Sequence, residues 1–86
     1  MPEIARFYGL VIRLYYGDHL PPHFHVSYAG HDAKVDIDTL SVFDGKLPPR
    51  ALGLAIEWAS LHQDELRAAF RQAAANQLPP KIKPLP

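Results

Sequence analysis

The chain has 86 residues, of which 48% are hydrophobic and 21% are charged, and nine basic residues balance nine acidic ones. This length allows one domain with one small core, and the ordinary composition excludes a disordered chain. The zero net charge excludes a global basic field for nucleic acid, so that an RNA contact would need a local patch. Because there are no cysteines, disulfides, thiolate zinc sites and cysteine nucleophiles are excluded.

The N-terminal segment, residues 1–6, contains an early acidic residue and no long apolar run. No stretch of the chain has the length and hydrophobicity of a signal peptide or of a membrane span. We therefore expect a soluble cytoplasmic protein with no membrane partner.

The first half of the chain carries strand patterns. Residues 4–8 and 10–16 are rich in β-branched and aromatic residues, and Gly9 between them predicts a tight hairpin or a bulge. Residues 23–28 and 33–38 alternate apolar and polar side chains around a glycine-containing turn, which predicts a second hairpin. The next segment is less regular and contains at most one further short strand, around Val42 and Phe43.

The second half of the chain predicts one helix. Two prolines precede residues 50–75, which are good helix formers apart from Gly53. Apolar residues fall at helical spacing in one main stripe and one flanking stripe. The main stripe is Leu52, Ala55, Ile56, Ala59, Leu66 and Phe70, and the flanking stripe is Leu54, Trp58 and Leu61. Such a helix is roughly 35–40 Å long at 1.5 Å per residue, so its far end overhangs a small sheet or meets another subunit.

Together these elements predict an α+β fold, in which one long C-terminal helix packs on one face of a small antiparallel sheet of three or four strands. Residues 1–78 are expected to form a single domain. Residues 79–86 form a proline-rich C-terminal tail, which is either a polyproline-type segment or an extended segment laid back on the domain.

The candidate site lies where three of the five histidines fall within seven residues. His19, His23 and His25 surround Pro21 and Pro22, and the prolines exclude a helical histidine pair at this point. Alignment of the three main strands by their apolar faces gathers one polar face, which we call the histidine face. Its predicted members are Arg13, Tyr15, His23, His25, Ser27, Lys34 and Asp36.

One interpretation of the histidine face is chemistry on RNA. His23 and His25 would act as general base and general acid in cleavage of the RNA backbone, and Lys34 would stabilise the charge on phosphorus. Tyr15 would assist as a proton donor. The residues expected to bind the substrate are Arg13, His19 and Arg6, although solvent exposure or pairing with aspartates explains the two arginines equally well.

Two other interpretations stay open. His19, His23 and His25 could be metal ligands, because three neutral imidazoles suit zinc or another divalent transition metal. Alternatively, the histidines are structural: His19 caps the loop, and His23 and His25 are partly buried and hydrogen-bonded to the backbone. The protein is then a non-enzymatic binding module or a homodimer that docks through its helix. Neither this alternative nor the RNA interpretation requires a cofactor.

Two motifs and several shorter segments carry a resemblance to a known family. The motifs are Pro2-x-Ile4-x-Arg6-Phe7-x-Gly9-x-x-Ile12 and Asp18-His19-x-Pro21-Pro22-His23-x-His25-Val26. The shorter segments are Ala33-Lys34-Val35, the helix after Leu47-Pro48-Pro49-Arg50, and Lys81-Ile82-x-Pro84-Leu85. These residues resemble the small bacterial proteins grouped as the domain-of-unknown-function 4160 family, over essentially the whole chain.

The resemblance implies a short cytoplasmic protein encoded beside a second small protein, in an arrangement that looks like a toxin–antitoxin module. It implies no activity, but the shared residues fall on the histidine face or beside it: His19, Pro21, Pro22, His23, His25 and Lys34. We therefore expect a component of a toxin–antitoxin-like pair, with the neighbouring protein as partner and a histidine face that binds or cleaves RNA. The sequence does not decide between an enzyme and a binding protein.

Overall fold

The computed structural model describes residues 2–86, so Met1, with which the predicted domain begins, lies outside the described residues. The chain forms an α+β fold, which confirms the predicted class. The elements are β1 (Glu3–Phe7), β2 (Leu10–Arg13), β3 (His23–Tyr28), β4 (His31–Asp36), β5 (Val42–Gly45), α1 (Pro49–Leu61) and α2 (Gln63–Ala74).

The strands form one antiparallel sheet in the order β1-β2-β3-β4-β5, so each strand pairs with its neighbours in sequence. Two of the connections in this meander, β1–β2 and β3–β4, are tight turns. Tyr8 and Gly9 have φ of 47° and 83°, and Ala29 and Gly30 have φ of 47° and 84°. Two consecutive residues with positive φ are the requirement of a type I′ hairpin, whose twist matches that of the strands.

The sheet has five strands where the sequence predicted three or four. The additional strand is β5, which follows an irregular segment after β4. Asp36, the last residue of β4, holds this segment: its side chain accepts hydrogen bonds from the backbone N–H groups of Asp38 and Thr39 at 2.7 and 3.0 Å. The backbone N–H of Asp36 also donates to the carbonyl of Ser41 at 2.9 Å. These bonds fold the segment back, so that β5 pairs with β4 through Lys34 and Asp44.

The predicted single long helix is divided into α1 and α2 at His62. The backbone N–H of His62 still bonds to Ala59, but its φ of −133° leaves the helical range. A straight helix of roughly 35–40 Å at 1.5 Å per residue would exceed the longest dimension of the domain, 32 Å. Both helices bury side chains in the core, Trp58 from α1 and Leu66 and Phe70 from α2, whereas Leu61 of the predicted flanking stripe is 63% exposed. Among residues 2–86, no helix has the length and hydrophobicity needed to cross a membrane.

The core lies between the apolar face of the sheet and the two helices. Trp58 of α1 is fully buried, with its ring centre 5.4 Å from that of Phe7 and 5.8 Å from that of Phe24. Aliphatic residues on or next to the strands and small or aliphatic residues of the helices complete it. These include Ile4, Leu10, Ile12, Leu14, Val26, Val35, Ile37, Ala55, Ala59, Leu66, Ala69 and Ala73.

The proline-rich tail lies back on the domain, which was one of its two predicted arrangements. The backbone N–H of Ile82 donates to the carbonyl of Ile4 at 2.8 Å, and the indole N–H of Trp58 donates to the carbonyl of Lys83 at 2.8 Å. The side chains of Ile82 and Leu85 are buried in the core cluster. Residues 79–86 therefore complete the core of the domain.

Candidate metal centre

The loop between β2 and β3 carries Asp18 and holds it in front of the sheet. The backbone N–H of Gly17, which has φ of 66°, donates to the carbonyl of Ala73 in α2 at 3.0 Å. At the other end of the loop, the carbonyl of Pro22 accepts a hydrogen bond from the backbone N–H of Ile37 at 2.9 Å. Because both ends are tied to packed elements, the position of Asp18 is set by the fold.

The carboxylate of Asp18 faces two histidines with one of its oxygens. Its Oδ1 accepts a hydrogen bond from the backbone N–H of His19 at 2.9 Å. Its Oδ2 lies 3.0 Å from Nε2 of His23 and 2.9 Å from Nε2 of His25. Asp18, His23 and His25 each offer one ligand atom, and these atoms all lie within 4.8 Å of one another.

His23 is buried, with 4% of its surface exposed. Its Nδ1 lies 2.7 Å from the carbonyl oxygen of Pro21, and a carbonyl only accepts, so Nδ1 carries the proton. The ring centre of His23 is 5.3 Å from that of Phe43 and 5.7 Å from that of Phe70. Its Nε2 is buried without a hydrogen-bond partner, because the contact with Asp18 is short but misaligned. In neutral His23 this nitrogen points a lone pair into the cluster.

His25 lies beside His23 and reaches the surface. Its Nε2 is hydrogen-bonded to Oδ2 of Asp18 at 2.9 Å, and Tyr15 stacks on its ring with centres 3.9 Å apart. Burial lowers the pKa of His25, and the charge of Lys34 acts in the same direction, while Asp18 opposes them. The result favours a neutral imidazole. Because a carboxylate only accepts, Nε2 carries the proton in this arrangement, and metal binding through Nε2 would require that proton to move to Nδ1.

Asp18 stays ionised beside the histidines. Partial burial alone would raise the pKa of its carboxyl group, but the hydrogen bonds from His25 and from the backbone of His19 outweigh burial and lower it. The cluster therefore combines a carboxylate with two imidazoles, of which His25 is held neutral.

The cluster opens onto a polar cleft on the histidine face. In the sheet register Arg13 pairs with His25, and His25 pairs with Lys34, so the three residues form one row across β2, β3 and β4. The cleft is lined by this row together with further polar side chains: Tyr15, Asp18, Ser27, Asp32 and Asp44.

The structure brings together most of the residues predicted for the site. Tyr15, His25, Lys34 and Arg13 line the cleft, and His23 lies behind them in the cluster. His19 is exposed, and its ring is not part of the cluster. Its backbone N–H donates a hydrogen bond to the carboxylate of Asp18. Arg6 is exposed on β1 and forms an ion pair with Glu3 at 2.7 Å, outside the cleft.

Asp18 is the residue of the cluster that the sequence did not single out. The histidine spacing favoured His19 as the third ligand, yet Asp18 takes this position because its carboxylate turns toward β3. The available signal was an acidic residue directly next to a histidine cluster in a proline-stiffened loop. Two imidazoles and one carboxylate could hold a divalent transition metal.

Comparison with known proteins identifies a family and gives no relative of known activity. A family model described as "Domain of unknown function (DUF4160)" matches residues 9–71. The matched range contains β2 to β5, the loop with Asp18 and the whole cleft. Neither the curated proteins nor the solved structures give a match.

Proposed function

Because this chain belongs to the DUF4160 family, whose description names no activity, we propose its function from the geometry of the site: it binds a divalent transition metal through Asp18, His23 and His25. The observation that carries this proposal is Nε2 of His23, which is buried, unpaired and 3.0 Å from a carboxylate oxygen. A lone pair facing a carboxylate in a buried place is repulsive, so a cation between the two groups is favourable.

The spacing of the three groups supports a metal as that cation. A tetrahedral ion with bonds of about 2.0–2.1 Å separates its ligand atoms by roughly 3.3–3.4 Å. The two nitrogen–oxygen distances are 3.0 and 2.9 Å, a few tenths of an ångström below this value, and all three ligand atoms lie within 4.8 Å of one another. Small adjustments of the side chains would therefore be needed to fit the ion. A proton on Nε2 of His23 would instead need alignment with the carboxylate oxygen, which this contact lacks.

The surroundings of the ligands also support this proposal. Metal-binding histidines usually donate their second ring N–H to a carbonyl or carboxylate, which fixes the tautomer and the ring orientation. Nδ1 of His23 makes such a bond to Pro21, and the backbone N–H of His19 orients the Asp18 carboxylate through its other oxygen. These contacts hold the ligands in place before an ion arrives.

The ligand set favours some metals over others. Imidazole nitrogen suits zinc, iron, copper and nickel, whereas magnesium and calcium prefer sites made only of oxygen ligands. Three protein ligands leave at least one position for water or another ligand, as in catalytic rather than structural zinc sites. We propose zinc or another divalent first-row metal, with the open position facing the cleft.

Metal content and a zinc titration test the proposal. Untagged protein is stripped with a chelator, and zinc binding is followed by calorimetry and by the NMR signals of the histidine rings. We expect one ion per chain. His23→Gln and His25→Gln should each weaken binding more than about 100-fold, since even the hydrogen-bond partners of ligands change affinity by about 10- to 100-fold.

His19→Gln is the matched control, because it removes an exposed neighbouring imidazole that lies outside the cluster. It should leave zinc affinity unchanged. Equal weakening by His19→Gln, or the absence of saturable binding, would remove the proposal.

A second candidate function is action on RNA within a toxin–antitoxin-like pair. The histidine face suggests the action on RNA, and the family resemblance implies the pair. The observation that favours it is the cationic row of Arg13 and Lys34 on either side of His25 in an open cleft. The burial of His23 argues against proton transfer by two histidines, because a catalytic proton carrier must reach the substrate. In this proposal His25 is the proton carrier, Lys34 and Arg13 bind phosphate, and Tyr15 orients the imidazole ring.

Growth and total-RNA integrity after induction in a bacterial host test the RNA proposal. The wild-type gene should arrest growth and degrade RNA, His25→Ala should do neither, and His19→Ala should behave like wild type. Coexpression of the neighbouring small gene should restore growth, and light scattering of the two products should show a complex. Normal growth and intact RNA from the wild-type gene would contradict this second candidate.

A further inference from the structure

We infer that a bound metal turns the cleft into a site for a phosphate group, held between the ion and the side chains of Arg13 and Lys34. This inference rests on the metal binding proposed above and adds the chemical class of the ligand. It starts from the row of residues across the sheet and from the charges that line the cleft.

The sheet register places a cation on each side of a metal ligand. Arg13 and Lys34 are both direct cross-strand neighbours of His25. Side chains at such positions have Cβ atoms about 4.5–5.5 Å apart. The side chains of Arg13 and Lys34 can therefore both reach an ion bound next to His25. They can also reach a ligand bound to the side of that ion that faces the cleft.

Both cations are weakly held. Arg13 donates to the hydroxyl of Ser27 at 3.3 Å, a long bond to a neutral group. The ammonium group of Lys34 lies 3.5 Å from Asp44, and these side chains are 43% and 65% exposed. Exposed ion pairs of this kind contribute little to stability. Either side chain can turn to an incoming anion at small cost.

The charge of the cleft depends on the metal. The ionised side chains lining it are two cations, Arg13 and Lys34, and three anions, Asp18, Asp32 and Asp44, so its formal charge is −1 with neutral histidine. A divalent ion changes this charge to +1. The empty cleft therefore repels an anion, and the loaded cleft attracts one, which makes the binding of the anion conditional on the metal.

A phosphate group fits this arrangement better than a carboxylate. Its oxygens can be shared between an ion, a guanidinium and an ammonium group, whereas a carboxylate has only two oxygens. Arginine and lysine on opposite sides of a metal form a common clamp for transferred or bound phosphoryl groups. A phosphomonoester and the phosphodiester of RNA are two sources of the same chemistry.

Titration of zinc-loaded protein with phenyl phosphate tests the inference. Zinc is kept at one equivalent, so that no free ion binds the probe, and binding is followed by calorimetry and by backbone NMR signals. We expect saturable binding that disappears when a chelator removes zinc. Arg13→Gln and Lys34→Gln should each weaken phenyl phosphate about tenfold, the loss typical of one charge-assisted hydrogen bond.

Arg50→Gln is the matched control, because Arg50 is exposed at the start of α1 and does not line the cleft. It should leave phenyl phosphate affinity unchanged. A parallel titration with a short RNA that lacks terminal phosphates separates the sources. Tighter binding of phenyl phosphate assigns the site to monoesters, and tighter binding of RNA assigns it to diesters.

Three results would overturn the inference. These are the absence of binding of both probes at millimolar concentration, equal binding without zinc, and equal weakening by Arg50→Gln. The zinc titration is a separate measurement, so the two proposals fail separately. If zinc does not bind, both fail; if zinc binds and neither probe does, only the phosphate site is lost.

Discussion

The two faces of β3 are packed in opposite ways. On one face Phe24 and Val26 are 0% and 1% exposed and contact an apolar core that contains Trp58. On the other face His23 is almost as deeply buried, yet its Nε2 has no hydrogen-bond partner. Burial of the apolar face contributes to stability, whereas a buried nitrogen without a hydrogen-bond partner lowers it, and this difference motivates the proposed metal site.

The elements that cover the two faces differ as well. Two helices and the proline-rich tail close the apolar face. The histidine face is covered only in part, by the loop that carries Asp18 and by the side chains of Phe43 and Phe70 around His23. The cleft beside His25 is therefore open to solvent, whereas the apolar face is closed. The following predictions separate the two faces.

The largest expected effect is on the apolar face. Trp58→Ala should lower the free energy of unfolding by about 3–5 kcal/mol, because it opens a large cavity and removes the bond to Lys83. Urea unfolding measures this loss, and Glu57→Ala on the exposed side of the same helix is the control. Zinc affinity of the folded protein should stay unchanged, and a change in it would show that the two faces are coupled.

The tail should stabilise the apolar face through one side chain. Ile82→Ala should lower the free energy of unfolding by about 2–5 kcal/mol, as expected for a buried isoleucine. Lys83→Ala is the control, because its side chain is exposed and its carbonyl still accepts the bond from Trp58. Equal stability of Ile82→Ala and wild type would mean that the tail is not part of the core.

On the histidine face we expect zinc binding to raise the free energy of unfolding. Free zinc at a hundred times its dissociation constant should raise the free energy of unfolding by about 2.7 kcal/mol, because it binds the folded chain alone. His23→Gln should lose this gain, and His19→Gln should keep it. Thermal unfolding with and without chelator measures the gain, and the same zinc response in His23→Gln would contradict the proposed ligands.

The smallest expected effect is the pH dependence of the metal-free protein. Burial lowers the pKa of His25 in the folded state, so the unfolded chain binds a proton more readily. The contribution of His25 to stability is therefore fully present above its unfolded pKa of about 6.5. It is lost as the pH falls from there through the lower folded pKa.

Urea unfolding at a series of pH values measures this dependence. His25→Gln should remove this part of the slope below the unfolded pKa, while His31→Gln, at an exposed position, should keep it. An unchanged slope in His25→Gln would mean that another group causes the acid sensitivity.

Much of the fold could be predicted because local pattern and tertiary packing agree. The alternation in residues 23–28 and 33–38 correctly separated the apolar face from the histidine face, since neighbouring side chains on a strand point to opposite sides. The break at His62 could have been noticed, because Asp64 and Glu65 are acidic residues in the first turn of a second helix. Good helix propensity on both sides of the break hid it.

The candidate site could be predicted only in part. Arg13, His25 and Lys34 were assigned to one face by alternation, and the sheet register makes them neighbours. Asp18 was missed because the direction of a loop side chain depends on bonds to distant residues, here through Gly17 to Ala73 and through Pro22 to Ile37. The burial of His23 and its bond to the backbone were expected under the structural interpretation of the histidines. Its contact with Phe70 from α2 could not be predicted, since the two residues are far apart in the chain.

The sequence by itself determined the α+β class, the strand segments, the two faces of the sheet and the histidine-rich loop, because each follows from the periodicity and the local chemistry of neighbouring residues. Only the tertiary structure decided that the helix is divided, that the tail completes the core, and that Asp18 joins His23 and His25. Contacts between residues far apart in the chain fix these features, and no local pattern encodes which distant groups will meet.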